Sequence, residues 1–187
     1  MKTFAVVVVA LMCAAMAMAQ DAPAAAPAEE AVLVNGYNTE ADMAMWEGGK
    51  GDVVNKLEIS KDWKSEGEAS LKITFPVGKT YCITSAEAFP APGNAGDWSG
   101  FKALKFDMYN SGDKPFAIWM QIKSGKPRFK MKTEPVAKSK ELVTVTVLTE
   151  DIKKAGVDLT AIGQINFGAR GNEAERVLHI DNARLVK

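Results

Sequence analysis

The stretch KFDMYNSGDKPFAIWMQIK, residues 105–123, decides the fold class. On either side of the turn formers Asn110, Gly112 and Pro115, the even positions are apolar: Phe106 and Met108, then Phe116, Ile118, Met120 and Ile122. An apolar period of two marks strands with one face on a core. Lys105, Asp107, Tyr109, Ala117, Trp119, Gln121 and Lys123 therefore belong to the opposite, solvent side. A turn centred near Gly112 would make a hairpin, with Trp119 opposite or diagonal to Lys105 and Asp107 and within reach of a cross-strand neighbour.

The same alternation recurs along the chain. Leu71, Ile73 and Phe75 oppose Lys72 and Thr74; Val143, Val145 and Val147 oppose Thr144 and Thr146; Ile165 and Phe167 oppose Gln164 and Asn166; Leu178 and Ile180 oppose His179 and Asp181. Strands are predicted at 32–37, 53–59, 69–75, 81–88, 102–109, 116–123, 128–132, 142–148, 161–167 and 177–186, with one short helix at 149–155. About ten short strands broken by Gly, Pro, Asn, Asp and Ser predict an all-β, two-sheet antiparallel sandwich. Spacing leaves the strand order open. In 126–132, Lys126, Arg128, Lys130 and Lys132 share one side of a strand, the usual guard of a sheet edge, or else a basic rim for an acidic polysaccharide.

Outside the sandwich, Lys2 precedes an apolar run from Phe4 to Met18 that ends in Ala17-Met18-Ala19. This pattern predicts a signal peptide at 1–19, cleaved after Ala19, and so a secreted or periplasmic protein with no membrane span. Cys13 would be the acylated residue of a lipoprotein, but Met12 stands where such signals carry a small residue, which argues against anchoring. Residues 20–30, QDAPAAAPAEE, read as an Ala/Pro-rich linker, and 31–187 as one domain. After cleavage Cys82 is the only cysteine, leaving no intrachain disulfide. The 23 basic and 23 acidic residues give no reason to expect nucleic acid as a partner.

DWSGFKALKFDMYNSGDKPFAIWMQI and the late IGQINFGARGNEAERVLHIDNARL resemble the jelly-roll, galactose-binding-like carbohydrate-binding modules of secreted polysaccharide-degrading systems. VLVNGYNTEADMAMW and SEGEASLKITF are similar to the first strands of those modules, and the likeness spans 32–186. It implies a polysaccharide or oligosaccharide ligand on a sheet face, with Trp119 and Tyr109 stacking on sugar rings and Asp107, Gln121, Lys123 and Lys105 bonding hydroxyls. It also implies that Trp98 plugs one end of the sandwich and that Trp46 lies in the core; Trp63 it does not place. No cofactor is required, although many such modules hold a structural calcium ion. Asp181 matches the late calcium ligand, while the early acidic position is Asn38 here, with Glu40 and Asp42 as substitutes.

Catalysis finds no apparatus. The single histidine, His179, has no nucleophile motif around it. Two functions remain: a secreted, non-catalytic carbohydrate-binding protein, or a structural or protein-interaction sandwich of the cell envelope that meets another secreted protein and has no sugar ligand.

Overall fold

A computed structural model describes residues 29–44, 46–49, 54–84, 90–91, 94–124 and 129–187. The expected signal peptide with Cys13, most of the expected linker, Lys126 and Arg128 lie outside these residues, as do the side chains of Cys82 and Lys130. The chain runs β1 (Ala31–Asn35), α1 (Glu40–Met43), β2 (Trp46–Glu47), β3 (Lys56–Ser60), β4 (Ser70–Phe75), β5 (Gly78–Thr84), β6 (Pro90–Ala91), β7 (Asn94–Ala95), β8 (Ala103–Asn110), β9 (Phe116–Ser124), β10 (Phe129–Thr133), β11 (Val136–Ala137), β12 (Leu142–Leu148), α2 (Thr149–Lys154), β13 (Ile162–Asn172) and β14 (Arg176–Val186). It is an all-β, jelly-roll sandwich of two antiparallel sheets.

The first sheet has the order β12-β8-β14-β4-β3, with β1 also on β14; the second has β10-β9-β13-β5-β2, with β11 also on β9. Alternation places the core as the sequence predicts. Leu71, Ile73, Phe75, Leu104, Phe106, Met108, Leu178 and Ile180 from the first sheet meet Ile118, Met120, Ile122, Ile165 and Phe167 from the second, all nearly fully buried. Each such side chain stabilises the fold by roughly 1.5–3 kcal/mol on leaving water. Trp46 stacks on Phe167 at 5.5 Å, Phe106 meets Phe167 edge-on at 5.3 Å, and Trp98 is wholly buried.

One expectation fails. β8 and β9 form no hairpin: β8 pairs with β12 and β14, and β9 with β10, β11 and β13. The turn at 111–115 carries the chain from one sheet to the other. Buried Asn110 holds it, donating through Nδ2 to Lys114 O (2.9 Å) and Ala137 O (3.2 Å) and accepting from Gly112 N (2.9 Å). Its own carbonyl accepts from Lys140 N, which ties the entry of β12 to the same corner. Alternation cannot tell such an arch from a hairpin, because both put Phe106, Met108, Ile118 and Met120 inside.

Asn110→Ala would strand three backbone partners, of which that at Ala137 is buried. It should lower the unfolding free energy by about 3 kcal/mol, read by urea denaturation.

Candidate functional site

The arch divides the predicted binding residues between two outer faces. Lys105, Asp107 and Tyr109 stand on the first sheet, and Trp119, Gln121 and Lys123 on the second. The single platform expected from 105–123 is therefore not formed.

On the first sheet, register sets Asp107 directly across from Asp181 and Tyr109 across from His179. Two carboxylates in such a pair repel unless donors surround them. Here they do. Asp181 accepts from Ser65 N (2.8 Å), Glu66 N (2.9 Å) and Asn182 N (2.7 Å). Asp107 accepts from Thr144 Oγ1 (2.7 Å) and Asn182 Nδ2 (3.1 Å), with the Arg184 guanidinium at 3.6 Å. The Ser65 hydroxyl lies within reach of both acids, 2.9 Å from Asp107 and 3.2 Å from Asp181.

The motif Ile180-Asp181-Asn182-Ala183-Arg184-Leu185 thus has a structural reading. Ile180 and Leu185 fill the core, Asn182 bulges the strand at φ 50°, and the polar side chains neutralise the acid pair. The result is a clip that fastens the loop at 61–69 over the sheet. Asn38 holds the loop's other end, its Oδ1 accepting from Glu68 N (2.6 Å) and Ala69 N (3.2 Å). Gly67 sits there at φ +62°, where a Cβ would come within 2.4 Å of Asn38 Oδ1, so glycine is required on both counts.

Trp63 rides on this loop and stacks on Tyr109 at 5.1 Å and 6°, with His179 edge-on at 5.9 Å. Tyr109 is accordingly half-covered by another aromatic. His179 is buried, with Nδ1 3.0 Å from Ser70 Oγ. Burial and then the Lys72 charge depress its pKa, against Asp62 and Glu58. Lys105 is drawn to Glu29.

The calcium expectation meets the same clip. Asp181 and Asn38 spend their oxygens on backbone N–H groups, and Asp42 Oδ2 accepts from Asn38 N, Thr39 N and Thr39 Oγ1 as the cap of α1. Glu40 is exposed in the first turn of that helix. Among the described residues no group of three or more His, Cys, Asp or Glu is placed to hold a metal. This donor set does not fit calcium, which needs six to eight free oxygens. Burial, then the negative charges of Asp181 and Asp42, push the Tyr37 phenol far above its ordinary range.

On the second sheet, Trp119 points away from the core side, as alternation requires. It is nevertheless only 8% exposed, which corrects the expectation of a free aromatic platform. It shares a cleft of about 100 Å³ with Phe116, Ala117, Glu134 and Asn172. The next outward positions are polar and in register: Gln121 faces Asn166, and Lys123 faces Gln164. Lys123 Nζ bonds Gln164 Oε1 at 3.1 Å, and with the Asn166 amide turned to suit its neighbours it also bonds Asn166 oxygen at 2.7 Å. Lys132 of the edge strand stands opposite Gln121. Gln164 was missing from the predicted site because it alternates with core residues on a strand far away in sequence.

Solved structures share this fold. The family 11 carbohydrate-binding module from Clostridium thermocellum, in complex with a β-1,3-1,4-mixed-linked tetrasaccharide, matches with a TM-score of 0.57 at 15% identity, over 76% of this chain and 88% of that one. The CBM22-1 xylan-binding domain of Paenibacillus barcinonensis Xyn10C matches at 0.54 and 10%, over 86% and 98%. The fold is that of the carbohydrate-binding jelly rolls. The agarase AgWH50C carries a similar jelly roll, at 0.56 and 13%, and there the match spans 84% of this chain and only 24% of the enzyme. No family model and no curated protein matches the sequence.

Asp181→Ala should release the clipped loop, costing about 2–4 kcal/mol of stability and red-shifting the tryptophan emission as Trp63 leaves Tyr109. Addition of EDTA should leave the melting temperature unchanged; a fall on chelation that calcium reverses would contradict the donor assignment.

Proposed function

We propose that this protein is a secreted, non-catalytic carbohydrate-binding jelly roll that takes polysaccharide on the outer face of its second sheet. The observation that carries this reading is the in-register polar array of Gln121, Lys123, Gln164 and Asn166. Sugar hydroxyls demand donors and acceptors at fixed positions, and side chains held on paired strands and bonded to one another supply them. Trp119 borders the array and, nearly buried, offers no open ring face. Binding then relies on hydrogen bonds and is weak, since a shallow polar site recovers little after ordering costs. The similar fold of modules that bind mixed-linked glucan and xylan supports the ligand class. The apolar run and Ala17-Met18-Ala19 ending support export.

Non-catalytic status is supported by how the acids are used. Asp107 and Asp181 are buried and engaged by donors, and His179 is buried against Ser70. The near burial of Trp119 favours the second reading, a protein-interaction sandwich of the cell envelope without a sugar ligand.

Affinity electrophoresis against a glycan panel separates the two. On a retarding glycan, Lys123→Ala and Asn166→Ala should each weaken binding about tenfold, the worth of roughly 1.4 kcal/mol. Tyr109→Ala, on the opposite face, should leave retardation unchanged. Absence of retardation on every glycan would favour the second reading.

A further inference from the structure

Strand β12 reads Leu142-Val143-Thr144-Val145-Thr146-Val147-Leu148, a palindrome about Val145. It is the outermost strand of the first sheet, paired with β8 on one side. Among the described residues no backbone group bonds to its other side. Val145 and Val147 are buried toward the core, whereas Leu142 (56% exposed), Thr144, Thr146 and Leu148 (41%) stand open on the outer face.

Edge strands ordinarily carry a charge, a proline or a bulge that blocks a further strand from adding. The edge of the second sheet follows that rule, with Lys130 and Lys132 in β10. β12 does not: it has neither charge nor proline from Leu142 to Leu148, its ladder with β8 is unbroken, and its residues are strong strand formers.

We propose that β12 is the docking edge for a second copy of this chain. The copy adds antiparallel across a two-fold axis through Val145, joining the two first sheets into one. The palindrome then sets every residue against its own kind: Val145 on Val145, Thr144 on Thr146, Val143 on Val147, and Leu142 on Leu148. Thr–Thr and apolar pairs are favourable neighbours across strands. The exposed leucines at both ends lose their water to each other, which accounts for two of the larger apolar side chains on this surface.

The flanks agree in charge. Lys140, which pairs with Asp113, lies just before the strand and Glu150, which pairs with Lys154, just after it; both are well exposed, and each Lys140 approaches the partner's end that carries Glu150. A two-fold axis of this kind runs perpendicular to the sheet, so the outer faces of both second sheets look to the same side. With seven residues per copy the edge alone is smaller than the roughly 800 Å² per partner of a standard interface, and the dimer is a reversible one.

Sedimentation velocity over a concentration series, in the absence of any glycan, tests this independently of the sugar reading. The wild-type mass should climb toward twice that of the monomer. L142K/L148K sets lysine against lysine at both ends and should remain monomeric at every concentration. L142K/L148E sets lysine against glutamate across the axis and should recover the dimer. Both positions are on the solvent side, and circular dichroism checks that the variants fold. A wild type that stays monomeric would overturn the proposal. So would an L142K/L148K variant that still dimerises, or a folded L142K/L148E variant no better than L142K/L148K.

Discussion

Everything in this molecule turns on one buried amide. Asn110 replaces the solvent at a corner where five successive residues leave one sheet and enter the other, satisfying Lys114 O, Ala137 O and Gly112 N with its side chain and Lys140 N with its carbonyl. A buried backbone group without a partner costs about 1–3 kcal/mol, so the inner side of this corner, where Asn110 and Ala137 are buried, needs a side chain with both donors and acceptors. Its consequence is topological. β8 and β9, neighbours in sequence, end on opposite sides of the core, and each acquires partners from distant parts of the chain.

The strand faces were legible in the sequence and the strand neighbours were not. The even positions of the two strands, Phe106 and Met108, then Phe116 to Ile122, are apolar whether the turn is a hairpin or an arch, so alternation gives the same core list for both. Helix α2 at Thr149–Lys154 and strand β12 at Leu142–Leu148 fall where composition places them. The polar array needed pairing between residues forty apart, Lys123 with Gln164, and periodicity carries no information on that scale. The burial of Trp119 was equally hidden, because alternation gives the direction of a side chain and says nothing about what surrounds it.

The acids carry a structural role that the resemblance did not name. The resemblance implies a calcium ligand at Asp181, and here backbone N–H groups of the loop at 61–69 bond its carboxylate. A loop fastened by hydrogen bonds from its own backbone does not depend on an ion being present. The acid pair Asp107 and Asp181 is tolerable only because Asn182, Arg184, Thr144 and Ser65 converge on it, so removing any one of these donors loads the others. The two outer faces therefore differ in kind: one is closed by a loop and its aromatic stack, and the other carries half-buried Gln121, Lys123 and Gln164 beside buried Asn166.

The two ends of the sandwich leave it side by side. Ala31 pairs with Val186, Lys187 N donates to Glu30 O at 3.0 Å, and the Lys187 ammonium meets the Glu30 carboxylate. A fold entered and left at one point can be spliced into a surface loop of an unrelated host without stretching that loop apart. It can also be rejoined head to tail and reopened elsewhere, which makes this sandwich a natural subject for circular permutation.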